Sequence, residues 1–581
     1  MEAHGSKARW APAGGAACLF PALSAHSPED VRNHCVTIPI ECRRLVDFSI
    51  ERGVTPMELL QVAWGILLRS YTGIDKPWFL CRDDAASLPD SGSSNQRCYC
   101  RVDLSEHLDI VTVAKNIVTY TVSTEHDDLS SQSNTAVLST LSGISNDSRF
   151  GVCIQARRVG QTWSVYLQHK TCLLSETQAT NLGYLVAQII SQITSGPIAV
   201  NCINLCSSSV YDQLTGWNRK TPRTHDCNIH DLILEQCAAQ PDAPAVSAWD
   251  GDFTYGDIAR LSKTLARELV SLGVCRETFI GIYLEKSKWA VVAILSVLRA
   301  GGAFALLDTS FPQSRLSEMC NKLQAKMILC SRQLHHTAKS LNRPVIPIDD
   351  VTMAQFNSEA QTPLPLEPCA LVDGQTAAFA LFTSGSTGVP KGAVLNHSSF
   401  CSAQVPVAKI IGYGPGTRCL QFASYAFDLS VQEHLLPLMS GACVCIPSES
   451  ARESNLALAM RQMKINLAIL TPTVARLLSP TEIPLLKTLG LVGEPLFDSD
   501  INTWIGRLKL FDIYGPAECC IFTTVHAIEK DSLFGPNVIG SAPNAFCWVV
   551  DPSSRQRLAP IGDKILLHFQ AKLAFKTARV D

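Results

Sequence analysis

Cys-x-x-Cys pairs are absent from this 581-residue sequence, although it contains 23 cysteines. Its most closely spaced cysteines are Cys98/Cys100, Cys443/Cys445 and Cys519/Cys520. None of these pairs has the spacing of a zinc-binding site, and the total number of cysteines is odd. This pattern favours buried, reduced thiols in a cytoplasmic protein.

An excess of charge of one sign is also absent. The sequence has 49 Lys and Arg residues against 52 Asp and Glu residues, which gives a formal net charge of −3. Because both signs are scattered and no basic stripe stands out, nucleic acid is not an expected partner.

No apolar run approaches the roughly 20 residues that a membrane-spanning helix requires. The stretch "WAVVAILSVL", Trp289 to Leu298, is shorter than that and is followed directly by Arg299. We therefore expect a buried helix there and no association with a membrane.

What the sequence does contain is a high share of core-forming residues, with 46% hydrophobic and 17% charged. At about 150 residues per domain, the length suggests roughly four structural units. A polar, turn-rich stretch at 206–227 separates two regions. Upstream of it, "TPMELLQVAWGILLRSY" has helical spacing, with Thr55 and Glu58 forming a capping box, and "FGVCIQARRV" and "WSVYLQHK" are typical of strands. This upstream α/β region shows no catalytic constellation.

Downstream, short apolar strands alternate with amphipathic helices. "YGDIARLSKTLARELVSLG" places its apolar residues on one stripe and ends at Gly273. That stripe consists of Ile258, Leu261, Leu265, Leu269 and Leu272. "FIGIYL", "AFALLD" and "KMILC" follow as strands. This alternation predicts parallel sheets with crossover helices, whose binding sites lie at the carboxyl ends of the strands.

One loop, "LFTSGSTGVPKG" at Leu381 to Gly392, has the composition of a phosphate-binding segment. Its glycines allow backbone N–H groups to approach an anion, and its hydroxyls and Lys391 add further donors. The Walker pattern does not fit, because Pro390 precedes the lysine and Gly392 follows it. A solvated Gly/Ser turn is the alternative interpretation. The candidate phosphate-binding residues are Thr383, Ser384, Gly385, Ser386, Thr387, Gly388 and Lys391.

This loop resembles the signature loop of the adenylate-forming superfamily, which includes acyl-CoA synthetases, luciferases and the adenylation domains of nonribosomal peptide synthetases. Four further stretches resemble motifs of the peptide-synthetase branch, in the same order along the chain, and others are similar to its fungal members. They are "FTYGDIA" (253–259), "VLRAGGAFALLDTSFP" (297–312), "FDLS" (427–430) and "DIYGPAE" (512–518). The resemblance implies a large N-terminal adenylation subdomain with mostly parallel sheets and flanking helices.

The resemblance also implies a site for ATP and Mg²⁺. The loop with Lys391 would hold the β- and γ-phosphates, Tyr514 would stack on adenine, and Glu518 would coordinate Mg²⁺. Lys391 and Glu518 would be the catalytic residues, and the backbone of 492–495 would line the adenine pocket. Outside the loop, the implied nucleotide-binding residues are Gly493, Glu494, Tyr514, Gly515 and Glu518. Taken singly, Tyr514 and Glu518 are an ordinary aromatic and an ordinary surface acid.

For the substrate, the resemblance implies that Asp428 pairs with the α-ammonium of an amino acid. The alternative is a helix N-terminal aspartate that is favoured by the helix dipole. The implied side-chain pocket is lined by Leu429, Gln432, Ile469, Gly490, Val492, Ile513, Ile521 and Phe522. Because this lining is apolar with one amide, we predict an apolar or aromatic amino acid. The implied reaction forms an aminoacyl-adenylate and pyrophosphate, with a carrier domain in trans as a partner.

The upstream region, 36–199, resembles the C-terminal half of a condensation domain. That family's His-His-x-x-x-Asp-Gly motif is absent, because the sole His-His pair, His335-His336, lies in the other region. A docking or vestigial role is therefore expected. The predicted organisation is a flexible leader (1–35), a condensation-like half-domain (36–205), a linker (206–227), the large adenylation subdomain (228–563) and a divergent tail (564–581).

The sequence departs from the family pattern in three respects, one of which is that no carrier segment with a phosphopantetheine serine is recognisable. In "DIYGPAE", Asp512 and Ala517 replace Asn and Thr, and the missing hydroxyl would cost about 1–3 kcal/mol if it contacted a phosphate. The tail carries no counterpart of the family's C-terminal subdomain with its catalytic lysine, since Lys564, Lys572 and Lys576 match no motif.

Two classes of function follow. One is an amino-acid-activating synthetase that is incomplete as written, or completed by another polypeptide, and impaired in this chain. The other is an inactive fragment that binds nucleotide or serves as an interaction module. An acyl-CoA synthetase is a third interpretation, which Asp428 disfavours.

Overall fold

The computed structural model describes most of the chain. The described residues are 20, 32–83, 96–105, 108–123, 133–140, 150–159, 162–359, 372–383, 391–530, 538–551, 554–559 and 566–570. The chain divides into two compact units. One consists of Met1–Arg219 with Trp548–His568, and the other of Lys220–Cys547 with Phe569–Asp581.

The first unit contains a seven-stranded mixed sheet with helices. Its elements are β1 (Asn33–Ile38), α1 (Cys42–Arg52), α2 (Pro56–Thr72), β2 (Trp78–Asp83), β3 (Gln96–Arg101), α3 (Ile110–Lys115), β4 (Val118–Ser123), β5 (Thr135–Thr140), β6 (Val152–Val159), β7 (Thr162–Lys170), α4 (Glu176–Ile193) and α5 (Ser208–Trp217). The strand order is β1-β7-β6-β5-β2-β3-β4, and β5 runs parallel to both β2 and β6.

The predicted capping box at the start of α2 is confirmed. The Thr55 hydroxyl accepts a hydrogen bond from the Glu58 N–H at 3.1 Å, and the Glu58 carboxylate accepts one from the Thr55 N–H at 2.7 Å. Two orphan donors of the first turn are thereby satisfied. The helix then buries its apolar residues, with Trp64 fully inaccessible to solvent.

Some predicted boundaries differ from those of the structure. Strand β1 begins at Asn33, inside the predicted leader, because its residues pair with β7. Helix α5 occupies much of the predicted linker 206–227, because Ser207 accepts a hydrogen bond from the Val210 N–H and caps the helix. The compact units divide within the same stretch, at Arg219.

The second unit contains two larger sheets with helices. Its elements are α6 (Ile229–Ala239), β8 (Pro244–Ala248), β9 (Gly251–Thr254), α7 (Tyr255–Ser271), β10 (Phe279–Tyr283), α8 (Lys288–Arg299), β11 (Ala303–Leu306), α9 (Gln313–Lys322), β12 (Met327–Cys330), α10 (His335–Lys339), β13 (Val345–Pro347), α11 (Asp350–Glu359), β14 (Ala377–Thr383), β15 (Lys391–Asn396), α12 (His397–Ile411), β16 (Arg418–Leu420), α13 (Leu429–Met439), β17 (Cys443–Ile446), α14 (Glu449–Ser454), α15 (Leu456–Gln462), β18 (Leu467–Leu470), α16 (Pro472–Ala475), β19 (Thr488–Val492), α17 (Asp498–Trp504), β20 (Lys509–Tyr514) and β21 (Thr524–Ile528). A small sheet, most of whose residues belong to the first unit, is formed by β22 (Phe546–Asp551), β23 (Ser554–Leu558) and β24 (Leu566–Gln570).

The two larger sheets are mostly parallel, as predicted. Six strands follow the order β13-β12-β10-β11-β14-β15, and eight follow the order β21-β20-β19-β18-β16-β17-β8-β9. Antiparallel pairs occur at the edges, where β15 pairs with β14, β21 with β20 and β9 with β8. One hydrophobic core cluster contains residues of both sheets and of α6, α7, α8, α12 and α13. This α/β architecture confirms the predicted fold class.

The predicted apolar stripe of α7 is confirmed except at its end. Ile258, Leu261, Leu265 and Leu269 are buried, whereas Leu272 is 43% exposed. Leu272 follows the last helical residue as the C-cap, so it leaves the stripe.

The stretch 289–298 lies within α8 and is buried throughout, which confirms the predicted buried helix. Of the helices that the structure describes, none has both the length and the hydropathy needed to cross a bilayer. Several described cysteines, among them Cys237, Cys320 and Cys330, are buried free thiols.

Candidate functional site

The carboxyl ends of strands from both large sheets converge on the segment 421–428. Lys286 follows β10, Asp308 follows β11, and Gln421 follows β16. The Asp308 carboxylate accepts hydrogen bonds from the Ser424 hydroxyl and from the Ala426 N–H, the latter at 3.1 Å. A binding site at these strand ends is what the parallel topology predicts.

A cavity of about 360 Å³ lies at this position, which is within the size range of small-molecule sites. Its lining combines residues from β11, α9, β14 and the segment before α13. These residues are Leu306, Phe311, Arg315, Met319, Ala380, Leu381, Phe382, Tyr425, Ala426, Phe427, Asp428 and Ala517. The cavity therefore brings together Asp428, the strand that precedes the glycine-rich loop, and Ala517 of the "DIYGPAE" motif.

Asp428 is both the N-cap of α13 and a lining residue of the cavity. Its Oδ1 accepts a hydrogen bond from the Leu429 N–H at 2.8 Å. Burial raises the pKa of Asp428 to about 6, and the charge of nearby Glu518 adds to this increase. The described part of the chain supplies no ion-pair partner for this carboxylate. A half-buried anion of this kind is well matched to a cationic ligand group.

A buried polar network lies beneath this segment. Lys286 Nζ donates to Gln421 Oε1 at 2.7 Å and also to the Ala423 carbonyl. Glu433 Oε2 accepts from Gln421 Nε2 at 2.9 Å and from the N–H groups of Phe422 and Ala423 at 3.0 and 2.9 Å. Burial raises the pKa of Glu433 to about 7, although the Lys286 charge opposes this increase. The network fixes the backbone that leads into Asp428.

The "DIYGPAE" motif lies at the end of β20. Tyr514 is 39% exposed, and Glu518 is exposed within a short 3₁₀ turn at Ala517–Cys519. Cys520 and Ile521 follow with φ angles of 63° and 75°, a conformation that is costly for a β-branched residue.

Gln404 stabilises this strained backbone. Gln404 is completely buried on α12, and its Nε2 donates to the carbonyls of Cys520 and Phe522. The sequence contained no motif that pointed to this residue, because the contact joins positions more than 100 residues apart.

Gly515 is required by the packing of this segment. A Cβ at that position would lie 2.0 Å from the Ile521 carbonyl oxygen and 2.7 Å from the Thr523 nitrogen. Both are backbone atoms, so the motif would have to move. We expect Gly515→Ala to destabilise the protein by about 1–3 kcal/mol and to weaken nucleotide binding, as measured by thermal denaturation and calorimetric titration with MgATP.

Gly414→Ala is the matched control, because nothing lies within 4 Å of a Cβ built there. This control is expected to leave denaturation and MgATP binding unchanged. Equal behaviour of the two variants would contradict the assigned role of Gly515.

Three of the predicted pocket residues meet at Gly490. A Cβ on Gly490 would lie 2.5 Å from Ile469 Cδ1 and 2.7 Å from Ile513 Cδ1, because β19 lies between β18 and β20. Ile521 and Phe522 are almost fully buried and belong to the same core cluster.

The other predicted pocket residues lie on neighbouring elements. Leu429 and Val492 are half-buried and pack against the same cluster. Gln432 is fully buried, and its Nε2 donates to the Tyr413 hydroxyl at 3.1 Å. None of the predicted side-chain-pocket residues lines the 360 Å³ cavity, which lies beside Asp428 instead.

The predicted phosphate-binding residues Ser384–Gly388 lie outside the described residues. Thr383 and Lys391 are register partners in the antiparallel pair β14–β15, so the backbone positions on either side of the loop are adjacent. Gly493 adopts a φ of 85° after β19. The neighbouring Glu494 carboxylate accepts hydrogen bonds from the N–H and the hydroxyl of Thr473, at 3.0 and 2.6 Å.

Comparison with known proteins identifies the family and the fold of this chain. Residues 233–563 match the family model described as AMP-binding enzyme. D-lysergyl-peptide-synthetase subunit 2 of Epichloe festucae var. lolii is 34% identical over 584 residues, which cover 94% of this chain and 42% of that protein. Nonribosomal peptide synthetase ungA′ of Aspergillus campestris (strain IBT 28561) is 31% identical over 592 residues, 94% of this chain and 6% of that protein.

Among solved structures, holo-AB3403 has a TM-score of 0.75 at 17% identity, over 96% of this chain and 46% of that one. It is a four-domain nonribosomal peptide synthetase bound to AMP and glycine. At this level of identity, the likeness shows the fold.

The family match and the similar relatives show that the chain contains an adenylate-forming α/β domain. The chain belongs to the AMP-binding enzyme family, and it is an adenylation-domain protein of the nonribosomal peptide synthetase type. It spans less than half the length of the curated relatives described above.

Proposed function

We propose that this chain uses ATP to activate the carboxylate of an amino acid, forming an aminoacyl-adenylate and releasing pyrophosphate. The observation that carries this proposal is Asp428, a half-buried carboxylate that lines a small-molecule cavity at the strand ends. Its charge suits the α-ammonium of an amino acid, which a fatty acid lacks. The bound AMP and glycine of the similarly folded holo-AB3403 support the same assignment.

In this reaction, a carboxylate oxygen of the amino acid attacks the α-phosphorus of ATP. The bond from the α-phosphorus to the oxygen that bridges to the β-phosphorus breaks, and its electron pair leaves with pyrophosphate. Lys391 and the adjacent loop would neutralise the charge on the departing phosphates, while Asp428 would orient the amino acid. The rate enhancement would then come from alignment and charge neutralisation.

Glu518 is the residue that would hold Mg²⁺. Its carboxylate is exposed and lies close enough to Asp428 to affect the pKa of that residue. Within the described residues, no group of three or more His, Cys, Asp or Glu side chains could hold a metal. A single carboxylate fits Mg²⁺ well, because this ion is usually held by one or two carboxylates together with substrate phosphates. Bound there, Mg²⁺ would neutralise phosphate charge.

The nucleotide would occupy the surface beside the "DIYGPAE" motif. Tyr514 presents a partly exposed ring on which adenine would stack. Gly493 is exposed and has a positive φ, so its backbone is open to a close approach.

The substrate is proposed to be an apolar or aromatic amino acid. The side chains nearest to a Cβ at Gly490 are those of Ile469 and Ile513, and Ile521 and Phe522 belong to the same apolar core cluster. A charged side chain would lose its hydration there without gaining an ion-pair partner. The product would pass to a carrier domain in trans, and the region before residue 206 is proposed to be a condensation-like docking half-domain.

Amino-acid-dependent exchange of labelled pyrophosphate into ATP tests this proposal. The full chain is expected to respond to apolar and aromatic amino acids, at a lower rate than an intact synthetase, and not to Lys, Arg, Asp or Glu. A response to charged amino acids alone would contradict the substrate assignment. MgATP binding without any exchange would instead support the alternative, a nucleotide-binding fragment. Formation of acyl-CoA from fatty acids would support the acyl-CoA synthetase interpretation.

A further inference from the structure

Arg315 is the only cation among the described residues that line the 360 Å³ cavity. It lies in the first turn of α9, directly after the motif at 297–312, and no sequence motif pointed to it. Phe382 of β14 and Asp428 line the same cavity.

The guanidinium of Arg315 has no polar partner in the described part of the chain. Its Nε is buried without a hydrogen bond, and its Cζ lies 4.2 Å from the centroid of the Phe311 ring. This contact holds the guanidinium against an aromatic surface.

Other half-buried arginines of the same unit do find acceptors. Arg299 donates to the Ala259 carbonyl at 2.7 Å, and Arg418 donates through Nε to the Met463 carbonyl at 2.7 Å. Because buried donors are normally satisfied, the buried, unmatched Nε–H of Arg315 favours a ligand that supplies an acceptor.

We propose that Arg315 binds a phosphate group of the nucleotide, an inference that rests on the proposed function. The planar donor fork of arginine matches phosphate oxygens, and hydrogen bonds between charged groups are the stronger kind. With Asp428 in the same cavity, the lining offers an anion and a cation together. An aminoacyl-adenylate carries the complementary pair, since it has an α-ammonium and a phosphate.

Calorimetric titration of the full chain with MgATP and with adenosine tests this inference. Arg315→Gln is expected to weaken MgATP binding about tenfold, which corresponds to about 1.4 kcal/mol. Adenosine binding is expected to stay unchanged, because adenosine carries no phosphate.

Lys322→Gln is the matched control, because it removes one positive charge from the same helix at a residue paired with Glu318 at 3.7 Å. This control should bind MgATP as the wild type does. Arg315→Lys keeps the charge without the planar fork, and its MgATP affinity should lie between those of the wild type and Arg315→Gln. If Arg315→Gln does not fold, the MgATP affinity of Arg315→Lys is compared with that of the wild type instead.

Three results would overturn the inference. Unchanged MgATP binding in the Arg315 variants would show that Arg315 does not contact a phosphate of the nucleotide. The proposed function would not be affected by that result. An equal loss of adenosine binding would show that Arg315 only supports the fold of the nucleotide site. A wild-type chain that binds no MgATP would instead reject the proposed function, and the inference with it.

Discussion

Asp428→Asn is expected to lower amino-acid-dependent pyrophosphate exchange by a factor of about 100 or more, because removing one partner of a buried ion pair costs about 3–5 kcal/mol. MgATP binding should remain unchanged, since Asp428 would contact the amino acid and not the nucleotide. Asparagine is as good an N-cap as aspartate, so α13 should keep its cap. The substitution thus separates the charge of Asp428 from its capping role.

Asp109→Asn is a suitable control, because Asp109 also caps a helix through its side chain, which accepts hydrogen bonds from the N–H groups of Val111 and Thr112 in α3. It is expected to leave exchange at the wild-type rate. If Asp428→Asn also retained that rate, Asp428 would be a helix cap only, and the ammonium-binding role would be wrong.

The raised pKa of Asp428 adds a pH dependence to this prediction. Its folded value of about 6 lies above the ordinary 3.8, and binding an ammonium requires the ionised form. The wild-type KM for the amino acid should therefore rise as the pH falls through about 6, and this rise should be absent in the Asp428→Asn variant. The KM of the variant is measured from its residual exchange activity at high amino-acid concentrations and compared with that of the wild type.

Lys286→Met is expected to destabilise the second unit by about 3 kcal/mol, because it leaves Glu433 buried without its compensating charge. Glu433 is 2% exposed, and Lys286 normally lowers its pKa. Without Lys286, the pKa of Glu433 should rise further, so the variant should lose more stability at pH 8 than at pH 6. The midpoint of thermal denaturation measures the effect.

Two further variants control this experiment. Lys288→Met removes a nearby lysine whose Nζ lies 4.8 Å from the centroid of the Phe253 ring, and it should cost less than about 1 kcal/mol. Adding Glu433→Gln to Lys286→Met removes the unpaired Glu433 carboxylate and should restore part of the lost stability. If the Lys286→Met protein were as stable as the Lys288→Met protein, the buried polar network of Lys286 and Glu433 would contribute little to stability.

Local features of the sequence predicted much of this fold. The capping box at Thr55 and the apolar stripe of α7 depend on residues three or four positions apart, so their physics is visible in a short window. The strand that leads into the glycine-rich loop is confirmed as β14 for the same reason. The prediction was wrong for Leu272, which is exposed, because hydrophobic periodicity does not identify the last residue of a helix.

The parts of the site that the sequence did not reveal depend on distant contacts. Lys286 and Gln421 are 135 residues apart, and each alone is an ordinary polar residue. Arg315 is a candidate ligand-binding residue only because it lines the same cavity as Asp428. The position of Lys286, three residues after the end of buried strand β10, is a local signal, because charged residues are rarely buried without a partner.

The central claim is that an amino-acid carboxylate attacks the α-phosphorus of ATP. An amino acid with both carboxylate oxygens replaced by ¹⁸O tests it, with mass spectrometry of the AMP that is released after hydrolysis of the adenylate at its carbonyl carbon. The account predicts AMP that carries one ¹⁸O atom, formed only when amino acid is present. Unlabelled AMP, or ADP with inorganic phosphate, would contradict it.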